Sequence, residues 1–145
     1  MSACTFFGHR DCPIAIAPLL HKTLIELIEK HGVNTFYVGR QGAFDSIVHS
    51  VLRELRLIYP NISYSIVLER IPIKPKEFDI YYFSNTILPE GIEAIPPRYA
   101  INWRNSWMLK QSDYVISYIS HNYGGAAKFV KMAEQQKKIV INLAK

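Results

Sequence analysis

The 145 residues, 49% hydrophobic and 20% charged, are enough for one globular domain spanning 1–145 and call for no second. No apolar run approaches the roughly 20 residues of a membrane span, and the start Met1–Phe7 lacks a basic stretch and cleavage pattern, so no membrane partner is expected and the expected location is cytoplasmic. A net charge of +5 suits an anionic ligand, but the 17 Lys and Arg residues are spread along the chain and read as a solvated basic surface, not as one nucleic-acid-binding block.

In chain order, the first element is a strand, Ala3–Phe7, running into the polar loop Gly8–His9–Arg10–Asp11. Cys4 alternates within it as a small core residue. Cys12 follows in the loop, as a plain loop residue or a reactive thiol. The two cysteines form neither a Cys-x-x-Cys pair nor a ligand pattern with nearby histidines, so no metal is expected. Ile16–His31 carries Leu19, Leu20, Leu24, Leu27 and Ile28 at helical spacing and stops at Gly32. A second strand, Thr35–Val38, meets Gly39–Arg40–Gln41–Gly42. The helix Ala43–Tyr59 then puts Ile47, Val51, Leu52, Leu55 and Ile58 on one face, with Pro60 beyond its end. Ser63–Leu68 is the third strand.

Between Glu69 and Arg98 the pattern breaks: five of the eight prolines fall there, around the aromatic run Phe78–Phe83. A structureless stretch of that length is uncommon in a compact domain, so it carries short elements of its own or covers the strand ends, and the covering role is expected. Tyr99–Gln111 reads as a helix with Trp103 and Trp107 at i, i+4 and Arg104 beside them. The fourth strand, Tyr114–Ser120, enters His121–Asn122–Tyr123–Gly124–Gly125, which opens a further helix, and Lys138–Asn142 is the fifth strand.

Strands alternating with helices imply a three-layer α/β/α sandwich. Right-handed crossovers then give a Rossmann-like, mostly parallel five-stranded sheet in the order 3-2-1-4-5. The switch point falls between the first and fourth strands, which lead into the loops at Gly8 and Gly124–Gly125. Glycines at the start of a helix let backbone N–H groups and the positive end of the helix dipole face an anion, although a glycine pair also simply eases a tight turn. Gly39 and Gly42 make a third such place. Asp45, in the first turn of its helix, complements the dipole, meets ligand hydroxyls or acts as a base. Arg104 pairs a phosphate or carboxylate through its fork, or packs across the two tryptophans with an exposed head. His9 donates to an anion, acts as an acid or closes its turn.

Four motifs taken together, Cys4–Arg10, Gly39–Asp45, Arg104–Met108 with Ser112–Asp113, and Gly124–Ala127, resemble the SLOG superfamily over nearly the whole chain, in particular its small bacterial and phage branch. The resemblance implies a Rossmann-like pocket for a nucleotide or nucleotide-derived ligand. Relatives include the LOG (lysine-decarboxylase-like) phosphoribohydrolases, which cleave the N-glycosidic bond of nucleoside monophosphates, antiphage sensor domains that bind ADP-ribose-type signals, and DprA proteins. The glycine motif of LOG enzymes continues to a glutamate of the hydrolytic site. Here Gly124–Val130 has no carboxylate, and Asp45 is the one replacement to nominate as a catalytic group.

The expected function is therefore binding of a nucleotide or nucleotide-derived small molecule through Gly8, His9, Arg10, Gly39, Gln41, Gly42, Asp45, Arg104, Asn105, Gly124 and Gly125, with no cofactor and no metal. Hydrolysis or transfer at an N-glycosidic bond is the alternative, with Asp45 as nucleophile or base. A DprA-like nucleic-acid binder rests on charge and fold analogy alone, and nucleic acid is not the expected partner. An apolar helix face larger than one core needs, with the habit of relatives, points to a homodimer.

Overall fold

The structure, a computed structural model, describes residues 2–70 and 85–144. Six parallel strands make one sheet: β1 (Ser2–Gly8), β2 (Val33–Val38), β3 (Ser63–Val67), β4 (Thr86–Ile87), β5 (Tyr114–Tyr118) and β6 (Ile139–Asn142). Their order is β4-β3-β2-β1-β5-β6. Among the described residues the α-helices are α1 (Ala17–His31), α2 (Gly42–Ile58), α3 (Pro97–Gln111) and α4 (Gly125–Gln135). The five strands expected from the sequence hold their order, and the correction is the sixth. β4 is two residues long, too short to show an alternating pattern, and is created by pairing: Ile66 N–H donates to Asn85 O at 2.6 Å and Leu68 N–H to Ile87 O at 2.8 Å.

β1 is the central strand, paired with β2 on one side and β5 on the other, and it is buried along most of its length. Its alternation splits the core. Cys4 and Phe6 join Phe36, Leu20, Leu24, Leu52 and Leu55 under α1 and α2. Phe7 joins Val67, Val115, Met108, Leu109, Phe129 and Ala133 under α3 and α4. α1 ends at Gly32, whose φ of 67° gives the left-handed turn that stops the helix. The loop residue Cys12 is buried within the first of these clusters, and burial pushes its thiol up to about 11, so it stays a protonated core residue.

The cover expected from Glu69–Arg98 falls largely on residues 71–84, which lie outside the described residues. Its described remainder carries short elements of its own: β4, a 3₁₀ turn at Ile92–Ala94 and the proline-led start of α3. No helix among the described residues is long and apolar enough to cross a membrane.

Candidate functional site

A cleft of about 340 Å³ opens at the carboxyl ends of β1 and β5, where the strand order reverses. Phe6, Phe7 and Gly8 of β1 line it. Gly8 is required there by packing: a β-carbon on it would lie 2.3 Å from the Phe44 ring, so only glycine lets the first turn of α2 press against the strand. The loops after β1 and β2 are then stitched together. Ala43 N–H donates to Arg10 O at 3.1 Å, and Gly42, with φ of 88°, leaves room for the Arg10 backbone, 2.8 Å from where its β-carbon would be. Arg10 is thereby held beside the start of α2, its guanidinium 3.4 Å from Gln41 Oε1.

Asp45 lines the cleft, half-buried, and its carboxylate reaches back to accept the Gln41 N–H at 2.8 Å. It thus satisfies one of the unpaired donors at the start of α2. Burial raises its carboxyl to about 6, against the pull of that hydrogen bond and of the Arg104 and Arg10 charges. Among the described residues, no other carboxylate lines the cleft.

Opposite stands Arg104, whose buried position (1% exposed) corrects the alternative of an exposed head packed across Trp103 and Trp107. Trp107 instead meets the Tyr37 ring edge-on, and the Arg104 guanidinium turns inward. It donates to Val67 O at 2.9 Å and to Asn105 Oδ1 at 2.9 Å, and lies 3.7 Å from Glu69. Glu69 is itself gripped by both arms of Arg40, at 3.0 and 3.1 Å. Burial works to raise the Glu69 carboxyl, but the Arg40 hydrogen bond, a backbone N–H and the two guanidinium charges outweigh it and hold it below its ordinary value. Burial likewise lowers Arg104, and Asp45 and Glu69 oppose that. Gly39 lies under this assembly. Its β-carbon would fall 2.9 Å from Asp45 Oδ2 and 3.1 Å from Arg104 Nη2, so the missing side chain is what lets the two charges approach one another.

The third wall comes from α3 and α4. Ile101, Asn105 and Met108 line the cleft at i, i+4 and i+7 of α3, with Asn102 beside them. Gly125 and Ala126 bring the start of α4 to it, after Gly124 turns the chain with φ of 96°. The loop between β5 and α4 is tied to the loop after β1 by stacked rings: His9 on His121 with centroids 3.5 Å apart, and His121 on Tyr123 at 3.9 Å. His121 N–H also points to His9 Nε2 at 3.4 Å. Burial, with the proximity of His121, lowers the His9 pKa, so its ring is neutral at pH 7.

Of the residues singled out from sequence, the structure gathers Gly8, His9, Arg10, Gln41, Asp45, Arg104, Asn105 and Gly125 around one cleft. Gly39, Gly42 and Gly124 do not line it; they shape the backbone behind it. Sequence reasoning missed Glu69 and Arg40, which hold Arg104, and the apolar wall of Ile101 and Met108, for which the helical spacing with Asn105 was an available signal. Among the described residues, no group of three or more His, Cys, Asp or Glu is arranged to hold a metal ion.

No protein-family model matches the chain, and no curated protein matches it in sequence. Among solved structures it is similar to DNA processing protein A (DprA) from Streptococcus pneumoniae, with a TM-score of 0.71 over 98% of this chain and 13% sequence identity. The chain spans 50% of the length of that protein. At this identity the likeness is one of fold: the chain has a DprA-like α/β architecture, a parallel sheet flanked by helices, with its cleft at the point where the strand order reverses.

Proposed function

We propose that the cleft binds a nucleotide or nucleotide-derived small molecule, as a SLOG-type domain. The observation that carries this reading is convergence: an anchored carboxylate, a buried arginine fork, an arginine at the mouth and the start of a helix meet in a space of about 340 Å³ at the switch point. In this reading the N–H groups of Gly125 and Ala126 hold a phosphate, and Arg10 supplies the opposing charge. Asp45 accepts hydrogen bonds from sugar hydroxyls. Arg104 and Asn105, bonded to each other, form a fixed polar wall, while Phe7, Ile101 and Met108 supply apolar contact.

A second reading, hydrolysis or transfer at an N-glycosidic bond, draws on one observation. The Asp45 carboxyl near 6 is in the range of a general base working close to neutrality. It stands without a carboxylate partner among the residues described at the cleft, which favours binding over turnover. The structural neighbour is a DNA processing protein, and a nucleic-acid partner is the third reading.

Calorimetric titration with AMP, NAD and a single-stranded oligonucleotide, with chromatography of the mixtures for released base, separates the three. Saturable binding of a mononucleotide or dinucleotide without base release is the expected result. Release of base makes the protein an enzyme. Binding of the oligonucleotide alone overturns the small-molecule reading.

A further inference from the structure

The stack of rings between the two loops continues past the cleft. His9 lines the cleft and is 9% exposed; His121 lies on it; Tyr123 lies on His121 and is 68% exposed. The rings are nearly parallel, 11° apart at the first step and 23° at the second. Their spacings of 3.5 and 3.9 Å are tighter than most aromatic pairs in proteins and close to the roughly 3.4 Å step of stacked bases. A ring so exposed, with one face already covered by His121, presents its other face to solvent. Tyr123 is also only two residues ahead of Gly125, which lines the cleft, so both the chain and the stack place it at the rim.

We infer that Tyr123 is a base-stacking platform: a nucleotide whose phosphate and sugar occupy the cleft lays its base on the open face of Tyr123, as the fourth ring of the His9–His121–Tyr123 stack. This rests on the nucleotide reading and adds to it the residue that contacts the base. The charge around the rim selects among planar groups. A guanidinium also stacks on tyrosine, but the positive end of α4, which starts two residues after Tyr123, opposes a cation there and favours a base carried by an anion. Stacking tolerates any base because every base has a π face, and it favours purines for their larger area. His121 is the positioning residue, since it backs the tyrosine ring and ties it to His9.

The experiment compares AMP with ribose 5-phosphate, which lacks the base, by calorimetry on the full chain. For the unsubstituted protein AMP binds more tightly. Tyr123→Ala weakens AMP about five- to a hundredfold, the span found when a stacking aromatic is truncated, and leaves ribose 5-phosphate unchanged. Tyr123→Phe keeps the AMP affinity. The adenine H2 and H8 proton resonances move upfield on binding, and that movement is lost in Tyr123→Ala. Because the side chain is largely exposed, the variant retains its fold. If Tyr123→Ala weakens both probes alike, or neither, the base platform is overturned while the nucleotide reading stands. If neither probe binds the unsubstituted protein, the nucleotide reading falls, and the platform with it.

Discussion

Replacing Asp45 with Asn is expected to make the protein more stable and a poorer binder. The carboxyl has an ordinary value of 3.8 in the unfolded chain and about 6 in the fold, where burial is the dominant cause. Between those two values the folded state holds a proton that the unfolded state has released, so stability falls as pH rises through the window. The loss is complete above about 6 and absent below about 4. A shift of about two units corresponds to about 3 kcal/mol, the penalty for keeping the carboxylate ionised in the cleft at pH 7.5. Asn carries no charge and keeps an oxygen for the Gln41 N–H, which Asp45 accepts at 2.8 Å. The variant should therefore gain about 3 kcal/mol at pH 7.5, on the order of 6–12 °C in Tm for a chain of this size, and almost nothing at pH 4. Urea unfolding of both proteins at pH 4, 5, 6 and 7.5 reads the difference directly, and AMP titration of the same samples should show a ten- to hundredfold loss of affinity, an order expected from a weakened charge-assisted hydrogen bond. A stability difference independent of pH, or a variant less stable than the parent at pH 7.5, would refute the reasoning.

Three further substitutions probe the architecture around that carboxylate. Gly8→Ala places a β-carbon 2.3 Å from the Phe44 ring and should cost about 1–3 kcal/mol in urea unfolding, partly recovered by Phe44→Leu; additive costs would show that the two do not touch. Glu69→Gln keeps the shape but removes the charge between Arg40 and Arg104, and should destabilise by about 3 kcal/mol while weakening AMP binding; unchanged unfolding would mean the buried cluster is energetically silent. Gly125→Val should leave the melting temperature within a few degrees and abolish AMP binding, because nothing among the described residues lies within 4 Å of its β-carbon and the position lines the cleft. Retained affinity in that variant would remove the start of α4 from the site.

The central sheet was legible because its strands are Val-, Ile- and Phe-rich runs broken by glycine, and because right-handed crossovers leave few orders open. The meeting of the Gly8 and Gly124–Gly125 loops followed from that order. What stayed hidden depends on distant partners. β4 exists only as an addition to the edge of β3, so nothing in Thr86–Ile87 alone announces it. Arg104 reads as a fork for a phosphate or carboxylate, or as a helix arginine with an exposed head, and its burial against Val67 O and Glu69 depends on partners distant in the chain. Glu69 reads as the first residue of a loop. His121 reads, like His9, as an anion donor, an acid or a residue that closes its turn, and its stacking shows only in the faces of His9 and Tyr123, 112 residues and two residues away in the chain.

Phe44 and Asp45 are consecutive residues on the first turn of α2, one driven into the sheet against Gly8 and the other facing the cleft. The screw of the helix leaves them no independent freedom, so any adjustment of the buried ring rotates or lifts the carboxylate beside it. A genetic selection for lost binding would therefore recover lesions at Gly8 and Phe44 alongside those at Asp45, and a map of sensitive positions would trace a hydrophobic contact as though it belonged to the recognition surface.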